Sequence, residues 1–216
     1  MIDSIVLRLV LPIMAIGLAG FVAQKGWGFF NFVDWPQWLE IIMSVAALDM
    51  IIYWQHVLSH KIPFIWNIHK VHHADRDVDV TTGVRFHPFE ILFSMIYKMF
   101  WILVVGPASA AVIVFEVLLN ASALFNHANA KLPTKLDKVI RTVLVTPDMH
   151  RIHHSVIQRE TDSNYGFCLS IWDVLFGTYN AEPEKGHEKM VIGLEDRQTD
   201  EPARLWWSLT WPINEK

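Results

Sequence analysis

A single cysteine, Cys168, occurs in the 216 residues. It excludes an intrachain disulfide, thiolate zinc sites and cysteine-held iron–sulfur clusters, and it gives no sign of an oxidising compartment. Charge is also sparse: 19% of residues are charged, the net charge is −4, and no block of one sign occurs. Nucleic-acid binding therefore has no electrostatic footprint here. His-Glu-x-x-His is absent, and no acidic residue lies within any histidine cluster to act as a hydrolytic base. The first apolar run has no basic segment before it and no Ala-x-Ala-like site after it, so it reads as a retained anchor rather than a cleaved signal.

What the chain has in quantity is apolar sequence. Hydrophobic residues make up 52% of it, close to the ordinary soluble level of about 45–50%, so the distribution decides. Residues 5–23, 38–58, 89–105 and 108–127 are nearly uninterrupted apolar runs. A helical span needs about 20 such residues; the third run is shorter and carries Lys98. Gly106-Pro107 joins the last two. The expected fold is an all-α membrane protein of about four transmembrane helices in two hairpins. Residues 128–216 would form a helical cap and tail, and the whole of 1–216 a single domain. Within the tail, helices are expected near residues 135–145 and 150–158, with Thr146 or Asp148 as a cap. Residues 179–200 read as loop.

Ten tryptophans are many for this length; Trp27, Trp35, Trp38 and Trp66 flank the first two runs, as in an interfacial belt. Trp206, Trp207 and Trp211 suit either a lipid surface or a packed core. Lys61, Lys70, Arg76 and Arg85 lie between the second and third runs, and six more basic residues follow the fourth within residues 131–159; the opposite side offers Lys25. The positive-inside rule then puts both termini and all the histidine clusters in the cytoplasm.

Histidine carries the chemistry. Of eleven, eight fall in His56-x-x-x-His60, His69-x-x-His72-His73 and His150-x-x-His153-His154. Residues three and four apart share a helix face, so His56 and His60 can address one metal. In each triplet the first histidine shares a face with both others, while the last two diverge by about 100°. One can stay with its partner while its neighbour reaches a second ion. A lone His-x-x-x-His arises often by chance; three clusters in one chain, all at the expected cytoplasmic side, do not.

Other residues join by position. His127 ends the fourth run at the depth of His56 and is read as a further ligand. His87 stands between a ligand and a helix-start residue. His187, in a charged loop, is read as structural or exposed. Asp49 lies two turns before His56 on the same face and is expected to orient a metal-bound imidazole. Lys98 and Glu116 lie about equally far either side of the Gly106-Pro107 turn and are expected to pair. All-imidazole sites suit zinc, copper, iron or nickel. A structural zinc site closes with four ligands, whereas two iron ions fit the ligand count; spacing alone does not choose between them.

At these residues the chain resembles the fatty acid hydroxylase/sterol desaturase superfamily of integral membrane di-iron oxygenases. The matching features are Asp49-x-x-x-Tyr53-Trp54-x-His56-x-x-x-His60, Trp66-x-x-His69-Lys70-x-His72-His73 and Arg85-Phe86-His87-Pro88-x-Glu90. Asn126-His127-x-Asn129, Thr146-Pro147-Asp148-Met149-His150-Arg151-x-His153-His154-Ser155, Asp162-Ser163-Asn164-Tyr165-Gly166 and Trp172-Asp173-x-x-Phe176-Gly177-Thr178-Tyr179 complete the set. The resemblance implies two iron ions, with zinc a possible substitute, held by His56, His60, His69, His72, His73, His150, His153 and His154, with His127 added. Only one histidine lies in residues 126–131, where some relatives carry two. It further implies hydroxylation or desaturation of lipid C–H bonds with dioxygen and external electrons. The electrons would come from a separate cytochrome b5-, ferredoxin- or reductase-type donor. A zinc-dependent membrane hydrolase and a non-catalytic metal-binding membrane protein are the competing readings.

Overall fold

A computed structural model describes the backbone of residues 2–214 and the side chains of residues 11–213. The elements in chain order are α1 (Ile2–Lys25), α2 (Gln37–Lys61), α3 (Pro63–His73), α4 (Pro88–Val105), α5 (Ser109–Asn126), α6 (Thr134–Ile140), α7 (Pro147–His153), α8 (Gln158–Thr161), α9 (Ile171–Phe176) and α10 (Leu205–Asn214). Short 3₁₀ turns intervene, and among the described residues extended pairing is limited to two isolated bridges, Leu144 with Leu169 and Ser155 with Ile192. The expected first span, 5–23, begins among residues whose side chains lie outside the description; its backbone is helical.

Four segments are long and apolar enough to cross a membrane: Leu11–Phe32, Gln37–Lys61, Pro88–Val105 and Ser109–Asn126. Helix α1 packs on α4 and α5, and α2 packs on α5 and α4. Ala15, Ala19, Leu48, Ile102, Val112 and Phe115 form the buried centre, while Ile42, Ile96, Phe100 and Val117 point outward. An apolar exterior around an apolar interior is what a helix bundle in lipid presents. At one end the two hairpin connections lock together. Gly106 turns with φ 67°, and a side chain on Gly28 would sit 2.4 Å from the Gly106 nitrogen. Asn31 Nδ2 donates to the carbonyls of Trp27 and Gly106. All nine clustered histidines, His127 included, lie at the other end.

Three helices at that end begin with proline at the first helical position: Pro63 in α3, Pro88 in α4 and Pro147 in α7. Proline there loses no hydrogen bond and pre-sets φ. Thr146 caps α7, its hydroxyl accepting from the Met149 amide at 3.4 Å.

Both cap helices end earlier than the expected residues 145 and 158. Helix α6 stops at Ile140 because the following residues pair with the segment 168–170: Val145 N donates to Cys168 O and Ser170 N to Val143 O. Helix α7 stops at His153 because Gly193 N takes the His154 carbonyl and Val156 N takes Val191 O. The loop containing residues 191–193 thus straps the back of the histidine cluster. Trp211 is buried on Val71 and stacks with Trp207 at 4.3 Å, whereas Trp206 is exposed.

Candidate metal centre

The nine histidines assemble into two adjacent groups. Nitrogens of His56, His60, His69, His73 and His153 lie within 4.8 Å of one another, as do those of His72, His127, His150 and His154. The triplets of α3 and α7 contribute in opposite senses. In α3, His69 and His73 enter the first group and His72 the second; at α7, His150 and His154 enter the second and His153 the first. Residues four apart are offset by about +40° around a helix and residues three apart by about −60°, so the i,i+4 pair stays together and the i+3 residue crosses over.

Neighbours fix the ring protons. A carbonyl only accepts, so a ring nitrogen against one carries the hydrogen. His56 Nδ1 donates to Tyr165 O at 2.8 Å, His153 Nδ1 to Ser163 O at 2.8 Å, and His127 Nδ1 to Ala123 O at 2.7 Å. His72 Nδ1 faces Arg85 O at 3.3 Å, and His69 Nδ1 donates to the Glu90 carboxylate at 2.5 Å. Each of these rings is left with a lone pair on Nε2. Yet His56 and His153 bring their Nε2 atoms to 3.0 Å, and His72 and His127 theirs to 3.1 Å. His127 Nε2 also meets His150 Nε2 at 3.0 Å and His154 Nε2 at 3.3 Å.

Facing lone pairs repel unless a cation lies between them. Nitrogens about 2.1 Å from one ion sit about 3.0–3.4 Å from each other in right-angled to tetrahedral geometry, which is the spacing found. Burial pushes the imidazoles of His72, His73, His150, His153 and His154 well below their ordinary pKa of 6.5, and neighbouring histidines add to the effect. Neutral rings are the form that binds metal. Both nitrogens of His60 and the Nδ1 atoms of His73, His150 and His154 are buried without a hydrogen-bond partner, an expensive state in a protein interior. Both groups fit a transition-metal ion.

The remaining candidates stand outside both groups. Asp49 touches no histidine. Its carboxylate accepts from Cys168 N at 3.2 Å, Leu169 N at 3.0 Å and Trp172 Nε1 at 2.8 Å. It pins the cap segment in which Tyr165 O holds His56, so it reaches the cluster at one remove. Tyr53 extends the same anchorage: its hydroxyl lies 2.9 Å from Thr178 Oγ1, which donates to Asp173. Asp173 also takes the amides of Tyr165 and Gly166, and burial raises its carboxyl to about 6. His87 is a helix-start residue: its Nδ1 caps α4 by accepting from Phe89 N at 3.2 Å. His187 lies 3.9 Å from Glu182.

Glu90 is the imidazole-orienting carboxylate that spacing alone did not identify. It lies in the first turn of α4, where the helix dipole favours a negative charge. His87-Pro88-x-Glu90 held the signal, but its partner His69 is 21 residues away. A cavity of about 120 Å³ opens between α1, α2, α4 and α5 beside His56, His69 and Glu90, with Phe86 and Phe167 in its lining. No residue of the second group lines it.

The sequence pattern of the fatty acid hydroxylase family matches residues 41–178, the stretch that holds both groups. The chain belongs to this family. Alkylglycerol monooxygenase from Homo sapiens is 32% identical over 183 residues, covering 84% of this chain and 39% of that protein. Ornithine lipid hydroxylase OlsE from Rhizobium tropici is 28% identical over 151 residues, covering 69% of this chain and 44% of that protein. A very-long-chain aldehyde decarbonylase, GL1-6 from Oryza sativa, is 21% identical over 164 residues, covering 72% of this chain and 25% of that protein. The chain thus spans less than half the length of these relatives. No solved structure shows a significant match.

Proposed function

We propose that this chain is a membrane-bound di-iron oxygenase that hydroxylates or desaturates a C–H bond of a lipid. Dioxygen is the oxidant and a separate protein supplies the electrons. The observation that carries this reading is the pair of adjacent imidazole groups, their Nε2 lone pairs converging, beside a cavity between membrane helices. Imidazole donors suit iron among other metals, and the names of two relatives, a monooxygenase and a hydroxylase of lipids, favour a redox metal over zinc.

When bound, the iron pair supplies the oxygen-activating redox chemistry that no side chain here possesses. The protein's part is to hold, orient and exclude. Five histidines hold one ion and four the other. The carbonyls of Tyr165, Ser163 and Ala123, with the Glu90 carboxylate, fix four rings in the tautomer that presents Nε2. His56 and His69 alone among the nine line the cavity, so the C–H bond is presented to the five-histidine group. Phe86, stacked 4.3 Å from His72, and Phe167 cover the oxidising end with apolar surface. In hydroxylation one oxygen atom enters the C–H bond and the other leaves as water. The histidine-bearing end is assigned to the cytoplasm from the placement of lysine and arginine, and residues 1–216 are taken as one functional domain.

Metal analysis with oxygen consumption tests the proposal. Two iron ions per chain and reductant-dependent oxygen uptake, with an oxidised lipid as product, are expected. Zinc alone, and no oxygen uptake after iron reconstitution, would overturn it.

A further inference from the structure

Lys98 and Glu116 form an ion pair inside the membrane-spanning part of the bundle, with side chains 6% and 9% exposed. Both line the cavity that also reaches His56 and His69. Stability is a weak reason for such a pair. Each charge at mid-membrane costs about 2.5–3.5 kcal/mol on insertion scales, and replacing a buried pair by apolar residues is often neutral or stabilising.

The pair belongs to a larger polar track. On α4, Glu90, Ser94 and Lys98 succeed one another at four-residue intervals on the face that lines the cavity, and Glu116 and Asn120 do the same on α5. Ser94 Oγ donates to Gln55 Oε1 at 3.1 Å, and Asn120 Nδ2 donates to the Glu116 carbonyl at 2.8 Å. A plain hydrocarbon chain suits the apolar part of the lining, Ile52, Met95 and Leu119 among it, but not this track, since polar groups that gain no hydrogen bonds lose solvation on contact. Lys98 gives one N–H to Glu116 Oε1. An ammonium carries three donors and a carboxylate two oxygens, and this contact engages one of each. A carboxylate or an ammonium would attract one member of the pair and repel the other. A hydroxyl both donates and accepts, and so suits both.

We propose that Lys98 and Glu116, with Asn120 beside them, form a subsite for a hydroxyl carried on the chain of the lipid substrate. Lys98 follows Glu90, which holds His69, by eight residues, or about 12 Å of helix. The subsite therefore sets which carbon reaches the five-histidine group. The inference rests on reading that group as the oxidising centre.

Binding tests it separately from chemistry. Protein as purified, in nanodiscs, anaerobic and without reductant, is equilibrated with 1-hexadecanol or with hexadecanediols whose second hydroxyl is walked along the chain. Retained probe is counted by native mass spectrometry. One position of the second hydroxyl is expected to bind about tenfold tighter than the others, as one hydrogen bond to a charged group provides. Lys98→Met with Glu116→Leu should erase that optimum, leaving the diols within about twofold of one another. A flat scan in the wild type would overturn the proposal even if the double variant failed to fold, and so would an optimum that survived in the double variant. An optimum in protein that performs no oxygen-dependent oxidation would preserve the subsite and sink the oxygenase reading.

Discussion

His56 and His153 point Nε2 at Nε2 across 3.0 Å, although each has already given its only ring proton, on Nδ1, to a backbone carbonyl. His56 rides on α2 and His153 on α7, 97 residues later. No hydrogen bond joins two lone pairs, so folding has brought together groups that attract only through a shared cation. An ion between these rings would help to hold the cap to the membrane helices.

Metal removal should therefore loosen the cap. An ion bound only by the folded state, at 1,000 times its dissociation constant, adds about 4 kcal/mol. Chelator is expected to lower the melting temperature and to expose α7 to proteolysis before the membrane helices. Unchanged melting in metal-free protein would refute this.

Acid should act in the same direction. His72, His73, His150, His153 and His154 stay neutral in the folded state well below 6.5, whereas the unfolded chain takes up protons there. A lowered folded pKa means that stability from these groups is complete above pH 6.5 and declines as pH falls below it. Denaturation of chelator-treated protein at pH 7.5, 6.5 and 5.5 (about one unit either side of that value) checks the sign. Greater stability at the lowest pH would contradict it.

Replacing His153 by Ala removes one ligand of the five-histidine group and the cap's contact with His56. Oxygen-dependent turnover should disappear, while the membrane helices keep their circular-dichroism signal, because none of their apolar packing involves this ring. Turnover within about twofold of wild type would contradict its assignment as a ligand, given that ordinary supporting residues cost 10–100-fold.

What was legible in the sequence was local. Four apolar runs announced four helices, and equal counts from Gly106-Pro107 placed Lys98 opposite Glu116, which pair. Helical spacing showed that each triplet could serve two sites, though not which member would cross. Partnerships over long separations were hidden. Asp49 finds the backbone of Cys168 and Leu169, and no periodicity links residues about 120 apart. The ends of α6 and α7 were misplaced for the same reason: residues 168–170 and 191–193 claim the backbone groups that would have continued those helices.

Glu90 should matter more than its distance from the reacting bond suggests. Its charge holds His69 Nδ1–H and strengthens the ring as a donor. Glu90→Gln keeps an acceptor but loses the charge, and should weaken metal affinity about tenfold; Glu90→Ala should approach 100-fold. Metal titration of the purified variants reads both. Equal affinity in all three proteins would reduce Glu90 to a packing residue.

Gly83 is closely packed beside the four-histidine group. A methyl group there would lie 2.8 Å from the Ala123 carbonyl oxygen and 3.3 Å from His127 Nδ1. That oxygen is the acceptor that fixes His127, so even a small displacement turns the ring shared by His72, His150 and His154. Overpacking of this kind costs about 1–3 kcal/mol. Gly83→Ala should lower the melting temperature and selectively weaken metal binding at the four-histidine group, leaving that of the five-histidine group intact. Gly17 is the control, because a methyl group there would meet nothing within 4 Å. Gly17→Ala in the middle of α1 should be neutral or stabilising by up to about 1 kcal/mol, because alanine is the better helix former. Equal loss of metal in the two variants would mean that the damage at Gly83 is general rather than transmitted through His127.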